Sequence, residues 1–177
     1  MSPSAKVLIV ANRTAGSPEL ISALRSRASR SPARFSLVVP AVPYGLAWAT
    51  DMKAGLAVAE IRAGGGARSL RLAGLEVADA RVGDPDPAAA VADALHGARF
   101  DEVFVSTFPA GVSAWLRLSL PQRLRRLTDL PIHHVVTRSG YVVTGLEADS
   151  QAAMPPTSAA TSDSPSRRRR LAAIVAR

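Results

Sequence analysis

Five short apolar runs, each bounded by turn residues, punctuate the first 137 positions of this chain. Val7–Ala11 (VLIVA) is apolar without interruption, as in a strand covered on both faces of a parallel sheet. Asn12, Thr14, Gly16 and Pro18 make a turn. Glu19–Arg30 then repeats Leu20, Ile21 and Leu24 at helical spacing, with Ser17 placed to cap it. Phe35–Val39 is the second strand, stopped by Pro40 and Pro43. Tyr44–Ala63 carries Leu46, Trp48, Met52, Leu56, Val58 and Ile61, a helical pattern that Gly64-Gly65-Gly66 should break or loosen. Ala67–Ala73 resumes it, and Gly74 ends it.

Leu75–Val82 reads as a third, partly polar strand. In the turn that follows, Asp86 is expected to cap a helix over Ala88–His96, with Pro87 in its first position. Glu102–Ser106 is the fourth strand, Val112–Leu127 is mainly helical with Pro121 starting or kinking its second part, and Ile132–Thr137 is the fifth strand. Strands alternating with helices select an α/β fold: a single open five-stranded parallel sheet, Rossmann-like, with helices on both faces. Residues 1–137 are expected to form this domain. Residues 138–177, rich in Ala, Ser, Thr and Pro before the Arg167–Arg170 cluster, are expected to be a flexible basic tail.

The net charge of +8 is divided between these parts. Sixteen Lys+Arg against eleven Asp+Glu leave +5 through Thr137, and six against three leave +3 beyond it. Spread in this way, the charge reads first as a solvated surface, and binding of a nucleic acid or anionic surface through Arg167–Arg170 is the alternative. The sequence has no cysteine, which excludes disulfides, thiolate catalysis and cysteine-ligated metal. The apolar run that follows MSPSAK is too short to span a membrane, and a soluble cytoplasmic protein is expected.

Ligands of open α/β sheets bind beyond the carboxyl ends of the strands, where the winding reverses. Three segments should meet there: Asn12–Gly16, Pro40–Tyr44 and Ser106–Ser113. Asn12, Thr14, Ser106, Thr107 and Ser113 can hydrogen-bond a ligand, Arg13 can supply a charge, and the helix starts behind the first and fourth loops favour anions. The same residues are equally ordinary loop and cap positions. Gly64–Gly66 follows no strand and precedes no Lys-Ser/Thr pair, so it is not a phosphate loop.

Signals of catalysis are poor. His133 and His134 alternate across one strand, so at most one can face a given site, and neither has a local partner in sequence. His96 closes a helix beside Gly97, and Asp84 and Asp86 are better explained by capping than by a cation. No metal-ligand spacing is present, and no catalytic residue is expected.

The order of segments over roughly Lys6–Thr137 resembles the universal stress protein (UspA-like) family. Gly83-Asp84-Pro85 is similar to the turn after that family's third strand. Ser119 through Leu124, leading to Pro131-Ile132, resembles its last helix and strand. The resemblance implies a divergent member. Where the family's ATP-binding branch carries G-x2-G-x9-G-[ST], alignment on Ser119 places Val105, Phe108 and Leu118 at the three glycines. Gly111 survives in the loop without restoring the spacing, and Asn12 stands where the first strand usually ends in aspartate. The resemblance thus implies a non-catalytic scaffold with a degenerate nucleotide site and no cofactor, ATP being the alternative. It also implies a homodimer through the edge Ile132, His133, His134, Val135 and Val136, with a further protein partner possible.

Overall fold

The computed structural model describes residues 4–41, 52–109 and 120–138. Five parallel strands, β1 (Ala5–Val10), β2 (Ala33–Pro40), β3 (Val77–Gly83), β4 (Glu102–Thr107) and β5 (Ile132–Val136), form one sheet in the order β3-β2-β1-β4-β5. The winding therefore runs from β1 outward to β3, then restarts on the other side at β4. The reversal lies between β1 and β4.

The helices among the described residues are α1 (Pro18–Ala28), α2 (Met52–Leu72), α3 (Pro87–Gly97) and α4 (Leu120–Leu127). Alternation along β1 sends Val7, Ile9 and Ala11 into a core shared with Leu20 and Leu24 of α1 and Ala63, Ala67 and Leu70 of α2. Leu8 and Val10 point the other way, into a core with Val91 and Ala94 of α3 and Leu120 and Leu124 of α4. That two-sided demand is why β1 is apolar at every position after Lys6. No described helix is long and apolar enough to cross a membrane.

Local chemistry starts and stops these elements as expected. Ser17 Oγ accepts from Leu20 N at 3.3 Å and Pro18 opens α1. Asp86 does the same for Ala88 N at 3.4 Å, and Pro87 follows it. Asp84 Oδ1 accepts from Asp86 N at 2.7 Å, an Asx turn that sets up the cap. Pro121 sits in the first turn of α4.

One expectation fails. Gly64–Gly66 does not interrupt the second helix; α2 runs unbroken for 21 residues. Its middle rests on the loop after β1, where a Cβ on Gly66 would lie 2.7 Å from Ala15 Cβ and 3.0 Å from a Leu37 methyl. Close packing there outweighs glycine's poor helix propensity, a preference that tertiary contact readily overrides. The helix ends at Gly74, as expected, and its φ of +82° lets Leu75 N reach back to Leu70 O at 3.1 Å.

Candidate functional site

The carboxyl ends of β1, β2 and β4 bring Asn12, Thr14, Pro40, Ser106 and Thr107 together, and the described part of the crevice is built from their mutual hydrogen bonds. Asn12 Nδ2 donates to Pro40 O at 2.8 Å, tying the ends of β1 and β2. Thr14 Oγ1 donates to Ser106 O at 3.1 Å across the point where the winding reverses. Thr107 O accepts from Thr137 N at 2.8 Å, and its side chain meets His134 Nε2 at 2.8 Å. All of these residues except His134 and Pro40 are side-chain polar groups at or below 9% exposure.

A further member comes from α2. Arg62, 5% exposed, donates from Nη1 to Asn12 Oδ1 at 2.8 Å. Both ends of the Asn12 carboxamide are thereby engaged inside the protein. Sequence reasoning did not single out Arg62. The available signal was a lone arginine at an inward position of a helix, which burial tolerates only when the charge is hydrogen-bonded.

Arg13 lies with its guanidinium carbon 5.5 Å from the centre of the Phe108 ring, so the two side chains cover one another at the mouth of the β1 and β4 loops. The start of α1 is served by its own groups: besides Ser17, Glu19 stands in the first turn. Glu19 accepts from Thr137 Oγ1 at 2.7 Å and from Arg138 N at 3.0 Å, clamping the end of β5 to α1. Negative charge at this helix start is thus already supplied by the chain. Ser106 Oγ is buried and has no hydrogen-bond partner among the described residues.

Gly111, Ser113 and Ser119 lie outside the described residues, as do Leu118 and Arg167–Arg170.

The histidines have partners that sequence could not reveal, because β4 supplies them from the next strand. His133 stacks on Phe104 at 4.4 Å and places Nε2 2.9 Å from Glu102 Oε2. Glu102 is buried and also pairs with Arg27 of α1. His134 faces the opposite side, against Thr107, and burial lowers its pKa from the ordinary 6.5. Asp86 Oδ1 and Oδ2 accept from Arg123 Nη1 and Nη2 of α4 at 2.9 and 2.5 Å, and this hydrogen-bonded pairing keeps the carboxyl below the usual value of 3.8. A shallow hollow of about 350 Å³ beside that pair is lined by Ala88, Ala89, Ala92, Arg126 and Leu127, away from the strand ends.

Chemically, Thr107 and His134 make a hydroxyl–imidazole pair in which Thr107 is 2% exposed. His133 has an orienting carboxylate in Glu102 and lies on the opposite face of the sheet from that hydroxyl. The described residues therefore hold two half-relays and no complete one. They also contain no group of three or more His, Cys, Asp or Glu placed to hold a metal ion.

No family model and no curated protein matches the chain. Solved structures do. A universal stress protein from Archaeoglobus fulgidus superposes with a TM-score of 0.53 at 10% identity, covering 74% of this chain and 93% of that one. A universal stress protein from the same organism in complex with dAMP gives 0.53 at 12% identity over 76% of this chain and 99% of that one. A universal stress protein family protein from Arabidopsis thaliana with AMP bound gives 0.52 at 14% identity over 77% and 94%. With its strand order and two-faced helix packing, this chain is similar to those proteins over about three quarters of its length, and its fold is that of the universal stress proteins.

Proposed function

We propose that this chain is a non-catalytic scaffold of the universal stress protein type, whose strand-end crevice is closed by its own side chains and which acts through pairing and partner binding. The observation that carries this reading is the engagement of Asn12 by both Arg62 and Pro40 O. A ligand that hydrogen-bonds Asn12 must compete with a buried guanidinium that already donates to its carboxamide oxygen. Phe108 adds bulk where a phosphate needs open backbone, and it is held in place under Arg13. Calorimetric titration of the full chain with ATP and with AMP tests the reading. A flat response is expected; saturable binding with a defined stoichiometry contradicts it.

A second reading, adenylate binding, is favoured by the neighbours in complex with dAMP and AMP. In that case excess nucleotide raises the unfolding temperature in proportion to its logarithm.

For pairing, the edge strand β5 is the surface best suited. Pro131 O and Thr137 N both bond toward β4. By alternation, the backbone N–H and C=O groups of Ile132, His134 and Val136 point outward, and no described strand lies beyond them. Val136 is also 46% exposed. Val135 packs against the core beside α1, so a charge there reports on folding and Val136 is the position to alter.

A further inference from the structure

The outward face of α2 carries a pattern that neither the fold nor the crevice uses. Among the described residues six large apolar side chains are exposed, and four of them, Leu56, Val58, Ile61 and Leu72, lie on this one helix. Ala59, Ala63, Ala67 and Leu70 turn toward the sheet. Opposite them, Ala57, Ile61, Gly64, Arg68 and Leu72 recur at three- and four-residue spacing along the solvent side. At its centre stands Gly64. Unlike Gly66, it has nothing within 4 Å of where a Cβ would be, so internal packing gives no reason for a residue this unfavourable to a helix.

The charges on this face are arranged antisymmetrically about the same centre. Glu60 lies one turn before Gly64, Arg68 one turn after it, and Arg71 close behind; all three are exposed. Glu60 and Arg68 are about 12 Å apart along the axis and cannot pair with each other. Neither has a hydrogen-bond or ion-pair partner among the described residues.

We infer that the outward face of α2, centred on Gly64–Gly65, is a self-complementary surface on which a second copy of this chain packs antiparallel. A two-fold axis at that point sets Glu60 of each copy against Arg68 of the other. It also lays the glycines back to back, where the missing side chains allow the helices to approach closely, with Ile61 and Leu72 flanking the contact. A second copy is the occupant because the required partner pattern, acid before the centre and base after it, is the one this helix already displays. The surface is distinct from the β5 edge and stands without the reading of the crevice.

Sedimentation of the full chain tests it by charge exchange. Glu60→Arg places like charges together in the pair and should halve the mass seen at concentrations where the native chain pairs. Adding Arg68→Glu to the same chain should restore the mass. Two residues two turns apart on one helix can rescue each other only across an interface. Gly64→Leu, which meets nothing in its own protomer, should halve the mass with the helical circular dichroism intact. A native chain that sediments as a monomer, a mass unaffected by Glu60→Arg and Gly64→Leu, or a loss that Arg68→Glu does not rescue would each overturn the inference.

Discussion

Asn12 and Arg62 are fifty residues apart, and their 2.8 Å hydrogen bond binds α2 to the end of the central strand. Arg62→Met should keep most of the side chain's volume while stranding Asn12 Oδ1. The expected cost is about 1–3 kcal/mol in urea unfolding, and a variant as stable as the native chain would show that the bond is dispensable. The glycines of α2 separate in the same way. Gly66→Val should destabilise by about 1–3 kcal/mol through the clash with Ala15 and Leu37. Gly64→Ala, with open space around it, should stabilise the protomer by about 0.5–1 kcal/mol. Equal effects at the two positions would contradict the packing described. His134 gives a sign for pH. Burial depresses its folded pKa, so the unfolded chain takes up a proton first as pH falls through the ordinary 6.5. Its contribution is complete above that value and declines below it until the folded imidazole is also protonated. Between about pH 7.5 and about pH 5.5 the melting temperature of the native chain should fall more than that of His134→Gln. Parallel curves would remove His134 as the cause.

At the scale of elements, strands were the most legible because each apolar run is bounded by turn residues, even where, as in β3 and β5, part of the strand is exposed. VLIVA and the four runs after it became β1 to β5 within two residues at every end. Caps were legible for a similar reason: Ser17 and Asp86 act on backbone groups two or three residues away, so spacing alone identifies them. The unbroken α2 was not legible, because what holds Gly66 in a helix is Ala15 and Leu37, distant in sequence. Partners of His133 and His134 were hidden likewise, each lying across the β4–β5 register. The edge strand yields its own test. Val136→Pro removes an outward N–H that the sheet does not use, which an edge tolerates. Pairing at β5 then disappears, and the mass should drop with the circular dichroism unchanged; an unaltered mass would place the contact elsewhere.

For the whole molecule, the two proposed contacts involve different parts of the sheet. The α2 helix covers β2 and β3, whereas β5 is the opposite edge. Both contacts can thus be occupied together, and Gly64→Leu with Val136→Pro in one chain should leave a folded monomer. The crevice lies between them, at the ends of β1, β2 and β4. The side chains of Asn12, Thr14 and Thr107 are engaged within the protein, while Ser106 Oγ has no partner among the described residues. The strand ends were located correctly from sequence, since topology alone fixes where a parallel sheet reverses. Their state was not, because it depends on Arg62, which only the folded α2 delivers. The most direct test is a crystal structure of the full chain grown in saturating ATP. The expected result keeps the Asn12 carboxamide within hydrogen-bond distance of Arg62 and Pro40 O, with no nucleotide beside Thr107. A triphosphate seated against the turn after β4 on main-chain amides, with Asn12 released from Arg62, would contradict it.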